Sequence, residues 1–199
     1  MKVLLELAER TGGRLHLCHV STAGELDLIR EADLSNVSVE VCPHHLFFSE
    51  ADYEDFGNLL KVNPPVRSSD DLSALWGAVR GGGVAGGDGK GVVDIIATDH
   101  APHLLEEKER PYLDVPSGVP GVQERLSLLL NEVYEGRLKM ERLVELCCYN
   151  PARLFGFAGK GEIAEGADAD LVVADLDLEG KFIRGDHGGV FGEIKSKCG

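Results

Sequence analysis

Two polar residues stand at or near the ends of apolar runs, where a polar side chain needs a metal, a hydrogen bond or an opposite charge as its partner. His19 closes the run LHLCHV at residues 15–20, and Asp99 comes shortly after VVDIIA at residues 92–97. A carboxylate buried there costs several kcal/mol unless a metal or hydrogen-bond donors compensate it. Imidazole and carboxylate groups are ordinary zinc ligands, and a carboxylate beside a metal can also accept and return a proton. The pattern is compatible with a metal site that has an acid–base carboxylate, and the simpler alternatives stay open: a packed core His19, and an Asp99 that caps a helix or forms a salt bridge.

Further polar residues follow other apolar runs. His100 and His103 have a spacing that can present both rings to one site on a helix or turn. His44 and His45 are adjacent, so their side chains point apart, and a structural hydrogen bond is expected for at least one of them. Asn63 precedes two prolines, which would hold an amide group at a fixed geometry for substrate binding.

The elements that must position these residues alternate between strand and helix. Hydrophobic periodicity predicts strands at 15–20, 37–42, 60–62 and 92–97, and helices at 1–10, 23–32, 69–79, 122–134 and 140–149. Such alternation favours a parallel α/β architecture, in which functional residues gather at the carboxyl ends of strands. Residues 161–175 change character and predict two strands around a Gly-Ala-Asp turn. Residues 81–91 are glycine-rich and indicate a surface loop, and because no GK[ST] follows, phosphate binding is disfavoured.

Composition narrows the class of protein. The formal net charge of −14 disfavours nucleic acid as a partner, so the attraction of an anionic substrate must be local. The five cysteines are odd in number and lack CxxC spacing, which argues against a disulfide framework or a thiolate zinc site. No apolar run reaches the roughly 18 residues of a membrane span, so we expect no membrane association and a cytoplasmic location.

Five motifs together resemble those of dihydroorotases, in order and in approximate spacing. They are HVST at 19–22, CPHHL at 42–46, KVNPPVR at 61–67, IIATDHAPH at 95–103 and PSGVPGVQ at 116–123. NPARLFG at 150–156 and GADADLVVADL at 166–176 resemble the same enzymes. The similarity runs through nearly the whole chain, and TDHAPH after an apolar strand is the most specific part of it.

The resemblance implies a fold, a reaction and roles for particular residues. It implies the last strands and helices of a TIM-type (β/α)8 barrel at 1–158 and part of a small β-sandwich subdomain at 159–199. The implied reaction is the reversible, zinc-dependent hydrolysis of dihydroorotate to N-carbamoyl-aspartate in pyrimidine synthesis, with two Zn2+ ions in a complete site. His19 would be a ligand of the second zinc, and Asp99 both a ligand and the base that handles the proton. Substrate-binding roles would fall to four residues: Asn63, His103, Ser117 and Gly118.

The departures from the family pattern matter as much as the matches. The HxH pair of the first barrel strand, the bridging Asp or modified Lys, and a further His all lie upstream in relatives, and no HxH occurs in this chain. A complete barrel takes about 250 residues. We therefore expect a fragment, or a chain whose missing barrel half comes from another chain or a homo-oligomer, and we expect the 199 residues alone to be inactive and to associate.

Other functions remain open at this stage. A hydantoinase, dihydropyrimidinase or allantoinase would share the metal plan, and the pairing of TDHAPH with VNPP favours dihydroorotase over them. A non-catalytic dihydroorotase-like subunit that scaffolds aspartate transcarbamoylase is an alternative from a different class.

Overall fold

The computed structural model describes residues 1–81, 92–177, 180–181 and 195–196. Most of the predicted glycine-rich loop lies outside these residues. The α-helices are α1 (Lys2–Thr11), α2 (Ala23–Ala32), α3 (Pro43–Phe47), α4 (Tyr53–Phe56), α5 (Ser69–Val79), α6 (Leu105–Lys108), α7 (Arg125–Tyr134), α8 (Met140–Val144) and α9 (Asn150–Phe155). The strands are β1 (Leu15–Leu17), β2 (Val37–Val41), β3 (Ile95–Ile96), β4 (Gly180–Lys181) and β5 (Lys195–Ser196), and short 3-10 turns lie at Glu50–Asp52, Gly57–Leu60 and Tyr112–Asp114.

The first three strands form one parallel sheet in the order β1-β2-β3. Leu15 pairs with Val37 at the start of the sheet, and Val41 pairs with Ile96 at its end. The predicted parallel α/β class is confirmed, because each connection between these strands carries at least one helix.

Two predicted strands are shorter than expected, and one is absent. β1 ends at Leu17 because the chain turns at Cys18 and His19, where His19 has a left-handed φ of 42°. Before β3, the Asp94 carboxylate accepts the Val39 N–H at 2.8 Å. A side chain thus takes the place of the backbone carbonyl that would accept this N–H in a regular sheet. The strand predicted at 60–62 is wrong, because a 3-10 turn runs to Leu60 and no strand follows it within residues 61–81.

The chain divides into two compact units, of which the first contains residues 1–54 and 63–97. Its core is built from the alternating side chains of β2, of which Val39 and Val41 are buried, and from the apolar faces of α2 and α5, which pack together. The predicted helix at 69–79 is confirmed, and the serine directly before it is its N-cap. Ser68 Oγ accepts the Asp71 N–H at 3.2 Å.

The second unit contains residues 55–62 and 98–199. In α7, three consecutive leucines at 128–130 are buried, and the predicted helix over 122–134 begins three residues later than expected. The predicted helix at 140–149 is confirmed as α8 followed by a π-helical turn at Glu145–Tyr149, and α9 continues from it to Phe155. The predicted division at residue 158 into barrel and sandwich portions stays a prediction.

The predicted strands at 161–175 are not formed. Within residues 161–177 the chain makes no ladder pairing, although it does turn at Glu165 and Gly166. The apolar side chains of this segment face solvent, and Val173 is 97% exposed. β4 and β5 pair antiparallel with each other further along the chain.

No helix within the described residues is both long enough and apolar enough to cross a membrane.

Candidate active-site residues

His19 is held where β1 gives way to α2. Its backbone N–H donates to Glu40 Oε1 at 3.4 Å, which ties the turn to the neighbouring strand β2. The rest of the HVST motif caps α2: Thr22 Oγ1 accepts the Glu25 N–H at 3.2 Å, and the Glu25 carboxylate accepts the N–H groups of Ser21 and Thr22 at 3.0 Å each. The polar residues after His19 therefore fix the backbone that carries it.

A polar network covers one face of β1 and β2. His16 contacts Ser38 Oγ through Nδ1 at 2.8 Å and Glu40 Oε2 through Nε2 at 3.2 Å. Strand alternation alone would set His16 and His19 on opposite faces, but that argument fails here because β1 stops at Leu17. The Glu40 carboxylate contacts the His16 ring through Oε2 and accepts the His19 backbone N–H through Oε1.

The adjacent histidines of the CPHHL motif are buried in α3. Burial lowers the pKa of His44 to about 2, with further lowering by the charges of His45 and His19. Burial also lowers the pKa of His45 to about 4, although its hydrogen bond to the Pro64 carbonyl opposes the shift. The His45 Nε2–H donates to that carbonyl at 2.9 Å, so the structural hydrogen bond predicted for at least one of the pair is present.

Asn63 lies in the first unit, is exposed, and directly precedes two half-buried prolines. The Asn63–Pro64 peptide bond is cis. The exposed position of the Asn63 side chain is compatible with the predicted role in substrate binding, which stays a prediction.

Asp99 begins the loop that follows β3, and it belongs to the second unit. Its backbone is left-handed, with a φ of 46°. Left-handed non-glycine residues cost about 1–3 kcal/mol and cluster at functional sites. The next residue, His100, accepts the N–H groups of Gly121 and Val122 through Nδ1 at 3.1 and 3.3 Å, which assigns it a structural role in the loop.

Three of the predicted substrate-binding residues meet in the second unit. His103 Nε2 donates to the Ser117 carbonyl at 3.3 Å, and a Cβ on Gly118 would lie 3.1 Å from the same nitrogen. The Gly118 N–H already donates to the Lys61 carbonyl at 2.9 Å. Because a Cβ at this position would also come within 2.6 Å of the Ala101 carbonyl, glycine is required here for close backbone approach.

Two lysines that the sequence did not indicate anchor this turn. Lys108 is 3% exposed, and its ammonium donates to the carbonyls of Lys61 and Pro116 at 3.0 Å each. Lys61 in turn donates to the carbonyls of Tyr112 and Val115 at 2.6 and 2.7 Å. Burial lowers the pKa of Lys108 to about 8, with a further contribution from the charge of Lys61. Lys108 lies in the charged run LEEKER, which resembles a solvated helix end, so the sequence carried no signal of this role.

The residues expected to bind metal fit a zinc site in their chemistry. His19 offers an imidazole and Asp99 a carboxylate, both common zinc ligands, and both residues have a left-handed backbone, which at Asp33 only ends helix α2. The described residues also hold two groups whose donor atoms lie within 4.8 Å of one another, Cys42 with His44 and His45, and His16 with Cys18 and Glu40.

The similarity to known proteins extends over nearly the whole chain. The model of the amidohydrolase family matches residues 5–191. The chain belongs to the amidohydrolase family. Amidohydrolases are generally metal-dependent, which agrees with the candidate metal-binding groups of this chain.

Curated relatives of this amidohydrolase chain are named dihydroorotase. The dihydroorotase of Halobacterium salinarum is 40% identical over 194 residues, which cover 98% of this chain and 42% of the relative. The dihydroorotase of Pyrococcus abyssi is 42% identical over 179 residues, covering 90% of this chain and 40% of the relative. The chain thus spans about two fifths of the length of the relatives it matches.

Solved structures that resemble this chain include hydantoinases as well as a dihydroorotase. L-hydantoinase from Arthrobacter aurescens superposes with a TM-score of 0.88 at 32% identity, covering 98% of this amidohydrolase chain and 44% of the other. D-hydantoinase from Thermus sp. has a TM-score of 0.87 at 27% identity, covering 99% and 44%. Dihydroorotase from Saccharomyces cerevisiae, at 19% identity and a TM-score of 0.64, shows a similar fold over 77% of the chain.

Proposed function

We propose that this chain contributes part of the active site of a dihydroorotase, which opens and closes the cyclic amide of dihydroorotate. The observation that carries the proposal is the identity of about 40% to curated dihydroorotases along nearly the entire chain. The convergence of His103, Ser117 and Gly118 on one turn supports it, because the family resemblance assigns substrate binding to these three residues.

We propose zinc as the metal, with His19 and Asp99 as ligands. Zinc bound there would lower the pKa of a water and polarise the amide carbonyl that is cleaved. The Asp99 carboxylate would take the proton of the attacking water and return it to the amide nitrogen as that nitrogen leaves. The loop that carries Asp99 continues into His100, whose ring accepts two backbone N–H groups and so fixes the backbone next to the proposed base.

The turn at residues 116–118 would shape the substrate pocket through its backbone. Since the Gly118 N–H is already bonded to Lys61, Gly118 would act by leaving space and not by donating to the substrate. The His103 ring donates through Nε2 to the Ser117 carbonyl, which fixes its orientation. Nδ1 of His103 lies 3.8 Å from Glu107 Oε2, so the ring has a polar group on each side.

The finer features of the fold and the assembly are proposals as well. We infer that the three-stranded parallel sheet is part of a TIM-type barrel and that the segment after residue 158 belongs to a β-sandwich. Completion of the barrel by another chain, association into a homo-oligomer, a complex with aspartate transcarbamoylase and a cytoplasmic location all stay predictions.

The first test combines metal content with turnover. The purified chain is analysed for zinc and assayed for dihydroorotate ring opening, with Asp99→Ala as a control. We expect no turnover from the 199 residues alone and little metal bound through Asp99, so the zinc content should be the same in Asp99→Ala. About two zinc ions per chain, with activity that disappears in Asp99→Ala, would contradict the expectation of an incomplete site.

The second test supplies the rest of an enzyme. Residues 1–199 replace the matching segment of the Halobacterium salinarum dihydroorotase, and the chimaera is assayed with dihydroorotate, hydantoin and dihydrouracil. We expect activity on dihydroorotate that Asp99→Asn removes and that Asp94→Asn, whose carboxylate bonds the Val39 backbone, leaves measurable. Preferential turnover of hydantoin would favour the hydantoinase alternative, to which the structural neighbours also belong.

A further inference from the structure

Three side chains at the carboxyl end of β2 converge on one buried point. The Cys42 sulfur and one ring nitrogen each of His44 and His45 lie within 4.8 Å of one another. Their residues are 0%, 1% and 2% exposed, respectively. Buried polar atoms are normally hydrogen-bonded, so the ring nitrogens of this buried cluster are expected to have partners.

His44 lacks such a partner. Neither of its ring nitrogens has a hydrogen bond within the part of the chain that the structure describes, and the same holds for Nδ1 of His45. An unsatisfied buried polar atom costs about 1–3 kcal/mol. A cation with vacant coordination positions would satisfy one of these nitrogens on each ring.

The hydrogen bond of His45 sets its ring in the form that binds metals. The Pro64 carbonyl can only accept, so Nε2 carries the hydrogen and Nδ1 has a lone pair that can bind a metal. Histidines that bind metals commonly donate their other ring N–H to a backbone carbonyl in this way. Burial also holds the pKa values of both rings low, which keeps them neutral as metal binding requires.

We propose that Cys42, His44 and His45 form a zinc site of one thiolate and two imidazoles. The Cys42 S–H bond breaks when the sulfur–zinc bond forms, and the proton passes to solvent. The fourth position falls to the Glu40 carboxylate, whose Oε1 lies 3.9 Å from the Cys42 sulfur and approaches when zinc binds. The site uses neither His19 nor Asp99, and the inference does not rest on the proposed function.

Zinc fits this donor set better than the other common cations do. Magnesium and calcium prefer oxygen ligands, whereas a thiolate with imidazoles is typical of zinc. The usual CxxC spacing of thiolate sites is absent from the sequence, so the arrangement depends on α3 beginning directly after Cys42.

Cobalt substitution tests the site, because a cobalt–thiolate bond gives a charge-transfer band in the near ultraviolet. The metal-free 199-residue chain is titrated with Co2+ and then with Zn2+. We expect a band that zinc abolishes, that is lost in Cys42→Ser, and that persists in Cys18→Ser, a control at an exposed cysteine. It should also persist in His19→Ala, which removes the ligand proposed for the catalytic metal and so separates the two sites.

Two further measurements keep the test valid if Cys42→Ser fails to fold: one uses the wild-type chain, and the other uses a different variant. X-ray absorption at the zinc edge of the wild-type chain should show one sulfur at about 2.3 Å and nitrogens at about 2.0–2.1 Å. His44→Gln should weaken zinc binding at least about tenfold, since even supporting residues of metal sites contribute that much. A zinc coordination shell without sulfur, or a cobalt band that survives Cys42→Ser, would overturn the proposal, whatever the outcome of the dihydroorotase assays.

Discussion

Lys108→Met should remove a specific dependence of stability on pH. An unfolded lysine has a pKa of 10.5, whereas burial lowers the pKa of Lys108 to about 8. Between these pH values the unfolded chain binds more protons than the folded one, so the free energy of unfolding rises with pH. A difference of one in pKa corresponds to about 1.4 kcal/mol, so the wild type should gain up to about 3 kcal/mol relative to the variant across this window.

The hydrogen bonds of Lys108 determine the effect below that window. In the variant the Lys61 carbonyl keeps the Gly118 N–H as a partner, but the Pro116 carbonyl loses the bond from Lys108. An unsatisfied buried carbonyl costs about 1–3 kcal/mol, and removal of a buried charge offsets part of that cost. The difference between wild type and variant should therefore be small near neutral pH and should grow as pH rises.

Urea unfolding at several pH values between about 7 and 10.5 measures this difference directly. Lys139→Met, at an exposed lysine, is the matched control and should follow the wild-type profile. If the stabilities of wild type and Lys108→Met run parallel over the whole range, the ammonium of Lys108 is not buried as described, and the anchoring of the turn at residues 116–118 must be reconsidered.

Three further substitutions test the local structure by urea unfolding. Gly118→Ala should destabilise by about 1–3 kcal/mol or more, since its φ is 144° and a Cβ would lie 2.6 Å from a facing carbonyl, whereas Gly136→Ala, with open space around it, should cost less. Thr22→Ala should cost about 0.5–2 kcal/mol through loss of the cap of α2, and an unchanged midpoint would refute the cap. Trp76→Phe should cost about 1–3 kcal/mol, because it leaves the buried Leu46 carbonyl without its 2.6 Å hydrogen bond; retention of full stability would contradict this.

The sequence predicted the elements whose signals are local. The helix at 69–79 combines an apolar face with a serine cap, and both can be recognised without tertiary information. Thr22, the last residue of the HVST motif, likewise forms a capping box with Glu25, so the start of a helix after His19 has a local signal. The parallel orientation of the first three strands followed from the alternation of strand and helix, whereas their order in the sheet was not predicted, because a further strand was expected at 60–62.

Features that depend on distant partners could not be predicted in this way. Residues 161–175 have the alternation of a strand, but a strand also needs a neighbour, and the structure provides none within the described residues. The burial of Lys108 depends on two carbonyls that lie 47 and 8 residues away in the sequence. The turn at Cys18 and the left-handed His19 ends β1, which periodicity alone would extend to Val20.

The order of strands in the parallel sheet restricts where another strand can pair with it. β2 is hydrogen-bonded on both sides, so within the described residues only the outer edges of β1 and β3 can accept another strand. An open edge does not distinguish a native neighbour from a second copy of the same chain. Whether identical chains pair at these edges therefore depends on their concentration: dilution disfavours self-pairing, and crowding favours it.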